Sequence, residues 1–265
     1  MDFSQFDFVN FTGQLDLAQV LLYVFWLFFG ALVFYLQAEG RREGYPLESD
    51  ETGAVYNHGI YMPTPKTFKM AHGHGEVTVP NYEREARELA LAPSEPWSGA
   101  PKDPTGKNPM LDGVGPGAYA LRADVPDIMD TGAVKIRPMK SLDAYIIPDG
   151  DPNPIGADVV GVDGKVGGTV VDVWIDQAES VIRYFEIAVG KGEKARNVLM
   201  PTNFAVVKGG ETPSLYVHAV EGKHFKDVPA TAKPDEITML EEEKIMGYFG
   251  AGYFYAQPNR SAPLL

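Results

Sequence analysis

Residues 17–38, LAQVLLYVFWLFFGALVFYLQA, run for 22 positions without an Asp, Glu, Lys or Arg. A helix of that length rises about 33 Å, close to the thickness of a bilayer's hydrocarbon core. Gln19 and Gln37 sit near its two ends, and Tyr23, Trp26 and Tyr35 supply aromatic rings of the kind found at membrane interfaces, Trp26 lying deep for that role. A buried helix of a soluble core is a poor alternative, because such helices rarely go so long without a charge. A cleaved signal peptide is a poor alternative too. Residues 1–16 carry Asp2, Asp7 and Asp16 but no basic residue, and Gln37-Ala38-Glu39 is not a small-residue cleavage site. Arg41 and Arg42 follow the run directly, so the positive-inside rule predicts an outer N-terminus and a cytoplasmic remainder. No later segment is long and apolar enough to cross again.

The formal charge of −13 bears on partners. Three of those charges are the N-terminal aspartates, and the other ten lie at or beyond Glu39. An acidic surface repels phosphate backbones and anionic lipid, so nucleic acid is excluded as a partner. The helix and protein contacts must hold such a chain at the membrane. The absence of cysteine agrees with a reducing compartment.

Glycine (28) and proline (21) make up nearly a fifth of the 265 residues and concentrate between 44 and 117. Long helices are excluded there. The Tyr, Phe, Trp, Met and Val content is high for disorder, so this stretch reads as extended chain lying on another protein. From 134 to 220 the pattern becomes β. Val171, Val173 and Ile175 alternate with Val170, Asp172, Trp174 and Asp176, which predicts a strand with the first set buried. Residues 181–189, 197–208 and 214–220 predict further strands, with turns at Asp163-Gly164 and Gly190-Lys191-Gly192. A small antiparallel barrel or sandwich fits these short strands. Thr238 and Glu241 form a capping box that opens a helix through about Gly247, and Gly247 and Gly250 are expected to stop it. The predicted organisation is a periplasmic N-terminus (1–14), a transmembrane helix (15–38), an extended partner-hugging segment (39–133), and a β domain with a C-terminal helix (134–265).

Catalytic motifs are missing. Gly106-Lys107 continues with Asn108, so it is no phosphate loop, and Pro116 interrupts the Gly113-x-Gly115-x-Gly117 spacing. His72-Gly73-His74 offers two metal ligands, or simply an exposed turn. An anchored hydrolase built on His72 and His74 lacks a third ligand nearby. Asp176, Glu179 and Arg183 flank a turn between two apolar strands. On residues alone they read as a solvated hairpin with an ion pair of little energetic weight.

Several segments then converge. They are Arg42-Glu43-Gly44-Tyr45-Pro46-Leu47, Pro65-Lys66-Thr67-Phe68, Pro104-Thr105-Gly106 and Pro109-Met110-Leu111-Asp112-Gly113-Val114-Gly115-Pro116. Lys135-Ile136-Arg137-Pro138-Met139-Lys140, Val171-Asp172-Val173-Trp174-Ile175-Asp176 and Glu241-Glu242-Glu243-Lys244 continue the series. In order and spacing, from the anchor to the C-terminus, the chain resembles the H subunit of the purple-bacterial photosynthetic reaction centre. The resemblance implies one transmembrane helix, an extended surface-hugging stretch, a cytoplasmic β-rich domain of the PRC-barrel type and a short C-terminal helix. It implies a subunit of the bacterial inner (intracytoplasmic) membrane with no catalytic activity and no bound cofactor of its own. The L and M subunits it would cap carry bacteriochlorophyll, bacteriopheophytin, quinones and a non-haem iron. The light-harvesting antenna ring and membrane lipids are further expected neighbours.

The resemblance also reweights the acids. Protons bound for the secondary quinone must cross this subunit along ionisable side chains, and burial or neighbouring negative charge can raise a carboxyl's pKa toward working pH. By position, Glu179 matches a glutamate near the inner end of that route. Asp176, Asp127 and Glu236 match acidic positions, and Arg183 matches a balancing base. At the proton entry some members carry two histidines and an acid where this chain has Met129, Thr131 and Ala133, with Asp130 between them. His72 is the candidate substitute. The rival reading is a membrane-anchored PRC-barrel adaptor in assembly or signalling.

Overall fold

The structure, a computed structural model, describes residues 17–49, 51–71, 74–81, 83, 87–190, 192, 195–209 and 213–260. Residues 1–14, the three N-terminal aspartates, His72, Gly73 and Lys191 lie outside the described residues. The chain divides into two compact units after residue 86.

In the first unit the uncharged run forms helix α1, Leu17–Glu39, none of whose residues is buried. Among the described residues it is the one helix long and apolar enough to cross a membrane. The chain folds back behind it. Arg42 pairs with Glu39 at 2.7 Å and donates to the carbonyls of Thr64 (2.9 Å) and Val79 (3.0 Å). The Arg41 guanidinium lies over the rings of Tyr45 and Tyr61, at 5.5 and 5.3 Å. A planar cation suits such aromatic faces. A hairpin of this unit, β1 (Lys66–Lys69) with β2 (Glu76–Val79), is exposed at seven of its eight positions.

The second unit starts with a short hairpin, β3 (Leu91–Pro93) with β4 (Lys102–Pro104), and is built on one sheet. Its strands are β5 (Ile136–Pro138), β6 (Asp158–Gly161), β7 (Val166–Asp176), β8 (Val181–Val189), β9 (Arg196–Pro201), β10 (Ala205–Lys208) and β11 (Ser214–Val217). The order is β10-β11-β6-β7-β8-β9, with β5 also pairing β7. The pairs are antiparallel apart from β6 with β11, which run parallel. The parallel pair departs from the all-antiparallel expectation. Residues 197–208 also form two strands rather than one. Pro201 ends β9, and a 3-10 turn at Thr202–Phe204 carries the chain to β10 at the other edge.

The strand register corrects the predicted alternation. Val173 and Ile175 are buried, but Val171 is 41% exposed, while Val170, Asp172, Trp174 and Asp176 are all buried. The cause is a bulge. Val170 pairs with Ile187 and Asp172 with Glu186, which leaves Val171 without a partner on β8. A second bulge lies on β8. Trp174 pairs with Tyr184 and Ile175 with Ile182, so Arg183 is the extra residue there. Each bulge turns one side chain out of phase with its neighbours.

Thr238 caps helix α2, Met239–Tyr255, through the capping box read from sequence. The helix does not end at Gly247. That glycine, Gly250 and Gly252 lie within it because backbone passes too close for a side chain. A Cβ at Gly247 would sit 2.8 Å from the carbonyl oxygen of Gly117, and one at Gly250 would sit 2.8 Å from that of Pro116. At Gly252 it would meet the Ala219 carbonyl oxygen at 2.6 Å. The Gly113–Gly117 run thus lies directly on α2. Ile245, Tyr248, Phe249 and Ala251 fill the space between helix and sheet together with Phe225, Met200 and Ile187.

Candidate functional site

The turn that joins β7 to β8 organises the acids singled out from sequence. Asp176, at the end of β7, is fully buried. Its Oδ1 accepts from the backbone N–H groups of Ala178 (3.0 Å) and Glu179 (3.3 Å), which fixes the turn. Ser180 completes it at φ 55°, a left-handed conformation rare for a residue with a side chain. Glu179 is exposed at the tip.

A second turn faces this one. Lys135 N–H donates to the Asp127 carbonyl at 2.9 Å, and Met129 N–H donates to the Ala133 carbonyl at 2.8 Å. Residues 127–135 are thereby a hairpin with Asp130, Thr131, Gly132 and Ala133 exposed at its tip. Gln177 stitches the turns together. Its backbone N–H donates to Lys135 O and its side-chain amide to Val134 O, both at 2.9 Å.

Between the turns lies an ion cluster. Lys135 Nζ is 3.3 Å from Asp127 Oδ2 and 3.6 Å from Asp176 Oδ2. Arg183, released by its bulge, brings Nε to 3.6 Å from the same Asp176 oxygen. Partial burial works against the Lys135 charge. The Asp127 hydrogen bond and the negative charges of Asp176, Asp127 and Glu179 outweigh it, so its pKa is raised. Both cations lie beyond hydrogen-bond reach of Asp176 Oδ2, and that buried oxygen has no hydrogen-bond donor among the described residues.

Four of the five predicted residues, Asp127, Asp176, Glu179 and Arg183, are therefore brought together around Lys135. The fifth, Glu236, pairs with Lys233 just before α2. Sequence reasoning quoted Lys135 only as part of a motif and missed its central place. It also missed a second group on the same strands. Asp172 and Glu186 are cross-strand partners, 2% and 4% exposed, and share the ammonium of Lys140 at 3.6 and 3.2 Å. The Trp174 indole N–H donates to Glu186 at 3.1 Å, the Asn197 amide donates to its other oxygen, and Val173 N–H donates to Asp172 at 2.8 Å. A carboxylate embedded in an apolar strand, away from any turn, was the available signal. His74 is exposed, and among the described residues no group of three His, Cys, Asp or Glu side chains could hold a metal ion.

A single apolar span, a sheet with short strands and one parallel pair, and a closing helix define a membrane-anchored protein with a PRC-barrel domain. The PRC-barrel domain model matches residues 149–212. The model for the N-terminal region of the photosynthetic reaction centre H chain matches residues 9–141, half of the sequence. The chain belongs to the reaction-centre H-chain family, and is a subunit of a photosynthetic reaction centre that associates with L and M subunits. One N-terminal span fits a single-pass membrane protein.

Proposed function

We propose that this subunit caps the cytoplasmic face of L and M and conducts protons through the Asp176 cluster to the secondary quinone. On this reading it catalyses nothing itself and binds no pigment, and the redox cofactors stay on L and M. Its N-terminus is periplasmic, as Arg41 and Arg42 suggest. Lipids and the antenna ring are its further neighbours.

The observation that carries the proposal is Asp176 Oδ2, a buried carboxylate oxygen with no hydrogen-bond donor among the described residues, set between Lys135 and Arg183. A buried acceptor is normally satisfied, so this one stands apart from the other buried carboxylates of the sheet. This oxygen faces the two cations, while its partner oxygen holds the turn. Asp127 lies on the solvent side of Lys135, with 42% of its side chain exposed. Glu179 projects from the same turn to hand the proton onward. The two cations offset the negative charge of the group, and a proton moving through it is shared among coupled carboxylates.

Glu179→Gln tests this reading, since it keeps size and hydrogen bonding and removes the titrating site. Charge separation and the first electron transfer should be normal. The proton-coupled second electron transfer should slow at least about tenfold, equivalent to roughly 1.4 kcal/mol on the barrier. Small weak acids in solution should partly restore the rate. Flash-induced kinetics on the purified complex measure it, and an unchanged second-electron rate leaves the subunit with a structural role alone.

A further inference from the structure

After β11 the chain makes a 3-10 turn, Gly222–Asp227, that ties the sheet to α2. The Tyr248 hydroxyl of α2 donates to the His224 carbonyl at 2.7 Å, and the Gln257 amide donates to Glu221 Oε1 at 3.3 Å. From the sheet, Arg196 donates to the carbonyls of Lys226 (2.6 Å) and Val228 (2.5 Å). Phe225, inside the turn, is completely buried, with its ring 6.1 Å from that of Phe249. A capping box opens the turn, and its second member is unusual. The Glu221 side chain accepts from the His224 backbone N–H, and the Glu221 N–H donates back to His224 Nδ1 at 3.3 Å. That position is ordinarily Glu or Gln, which accept through an oxygen. A histidine Nδ1 accepts only while it carries no proton. The His224 side chain is 13% exposed, so solvent does little to replace the bond.

We infer that His224 is an acid-sensitive latch: protonation of Nδ1 breaks the capping box and frees the Gly222–Asp227 turn from the sheet and α2. A proton on Nδ1 sets one N–H against another, and the Glu221 N–H loses its acceptor. The charged groups facing the imidazole are Glu221, Lys223 and Asp227 from its own turn and Asp163 from the turn between β6 and β7. Lys223 pairs with Glu221 at 2.6 Å and Lys165 with Asp163 at 3.7 Å, so both carboxylates already have cations. The Tyr248 hydroxyl and the Arg196 guanidinium meet the backbone of the turn. Burial, and then the Lys223 charge, hold the His224 pKa below its ordinary 6.5, against the pull of Glu221, Asp227 and Asp163. The opened turn, with an ordinary histidine, therefore binds a proton more readily than the closed one. Stability from the latch is fully present above pH 6.5 and is lost as the pH falls toward the lower value of the closed turn.

Amide hydrogen exchange on the purified complex, read by mass spectrometry as protection relative to the unstructured chain, tests the inference. The two conditions are about pH 7.5 and about pH 5.5, one unit either side of the ordinary histidine value. In the parent, protection across residues 221–228 should fall about threefold to tenfold on acidification, beyond any change in the β7–β8 turn. His224→Gln supplies the ordinary capping-box acceptor and no titrating nitrogen, so its protection should match the parent's at the higher pH and hold at the lower. Lys223→Met removes an exposed positive charge beside the imidazole, so the fall should begin at higher pH. Parallel pH profiles in the parent and His224→Gln overturn the inference, including the case in which the variant is less protected by the same factor at both pH values. If His224→Gln does not assemble, an unmoved onset in Lys223→Met overturns it instead. Neither measurement uses electron transfer, so the outcome is independent of the conduction reading.

Discussion

Asp172 and Asp176 are buried four residues apart on β7, and their surroundings are finished differently. Asp172 and its cross-strand partner Glu186 share the Lys140 ammonium, and donors from Val173, Trp174 and Asn197 supply the remaining oxygens. Asp176 satisfies one oxygen with turn N–H groups and leaves the other facing Lys135 and Arg183 at 3.6 Å. A fully satisfied buried network rigidifies a core, whereas a partly satisfied one is where protons and conformations have room to change. The difference follows from position. Asp172 pairs across the middle of the sheet, where rigid strands bring donors to it. Asp176 lies at the strand end, against two turns whose side chains are the adjustable parts.

The largest effect comes from placing a third carboxylate between these two. Val173 is completely buried and opposite Phe185. Val173→Asp should destabilise the protein by about 3–5 kcal/mol, the range for an uncompensated buried charge. Loss of complex yield and a lowered melting temperature report it, and unchanged values would mean that the interior tolerates charge without the partners Asp172 and Asp176 possess.

Next come substitutions that exchange the two roles. Glu186→Leu leaves the Trp174 indole and the Asn197 amide without their acceptor, at about 2–4 kcal/mol in total. The surviving complex should transfer its second electron at the parental rate. Asp176→Asn keeps the turn-capping oxygen, so its stability change should stay within about 1 kcal/mol. Its second-electron rate should nevertheless fall about tenfold, equivalent to roughly 1.4 kcal/mol. If denaturant midpoints and flash kinetics give the reverse pattern, hydrogen-bond satisfaction does not separate a structural carboxylate from a conducting one.

Much of this arrangement is legible in the residues, and what is not has local causes. The uncharged run reads directly as a span because composition alone sets that outcome. The Asp176–Ser180 turn reads from its polar residues between apolar strands. The exposure of Val171 does not, because period 2 carries no mark of an inserted residue, and that bulge is fixed by pairing with β8. Gly247 reads as a stop signal because glycine ends helices, yet here the same missing side chain admits the Gly117 backbone, which comes from 130 residues earlier in the chain. Lys135 at the centre of the site is invisible for a similar reason. Its two carboxylate partners come from separate turns, and the Gln177 hydrogen bonds and the pairing of β5 with β7 bring those turns together.

The smallest effect separates charge from packing within the Asp176 cluster. The Lys135 pKa is raised above its ordinary 10.5, since its carboxylate partners outweigh its partial burial. The folded protein then keeps a proton that the unfolded chain releases. Stability from this group is fully present below pH 10.5 and is lost as the pH rises through the higher folded value. Lys135→Met removes that contribution while keeping most of the side-chain volume. Its melting temperature should lie below the parent's by a constant margin at neutral pH, and the two curves should converge only in the alkaline range. A margin that persists there would mean that Lys135 holds the two turns together by packing. Asp176 would then be a carboxylate left over at a strand end rather than one held ready by its cations.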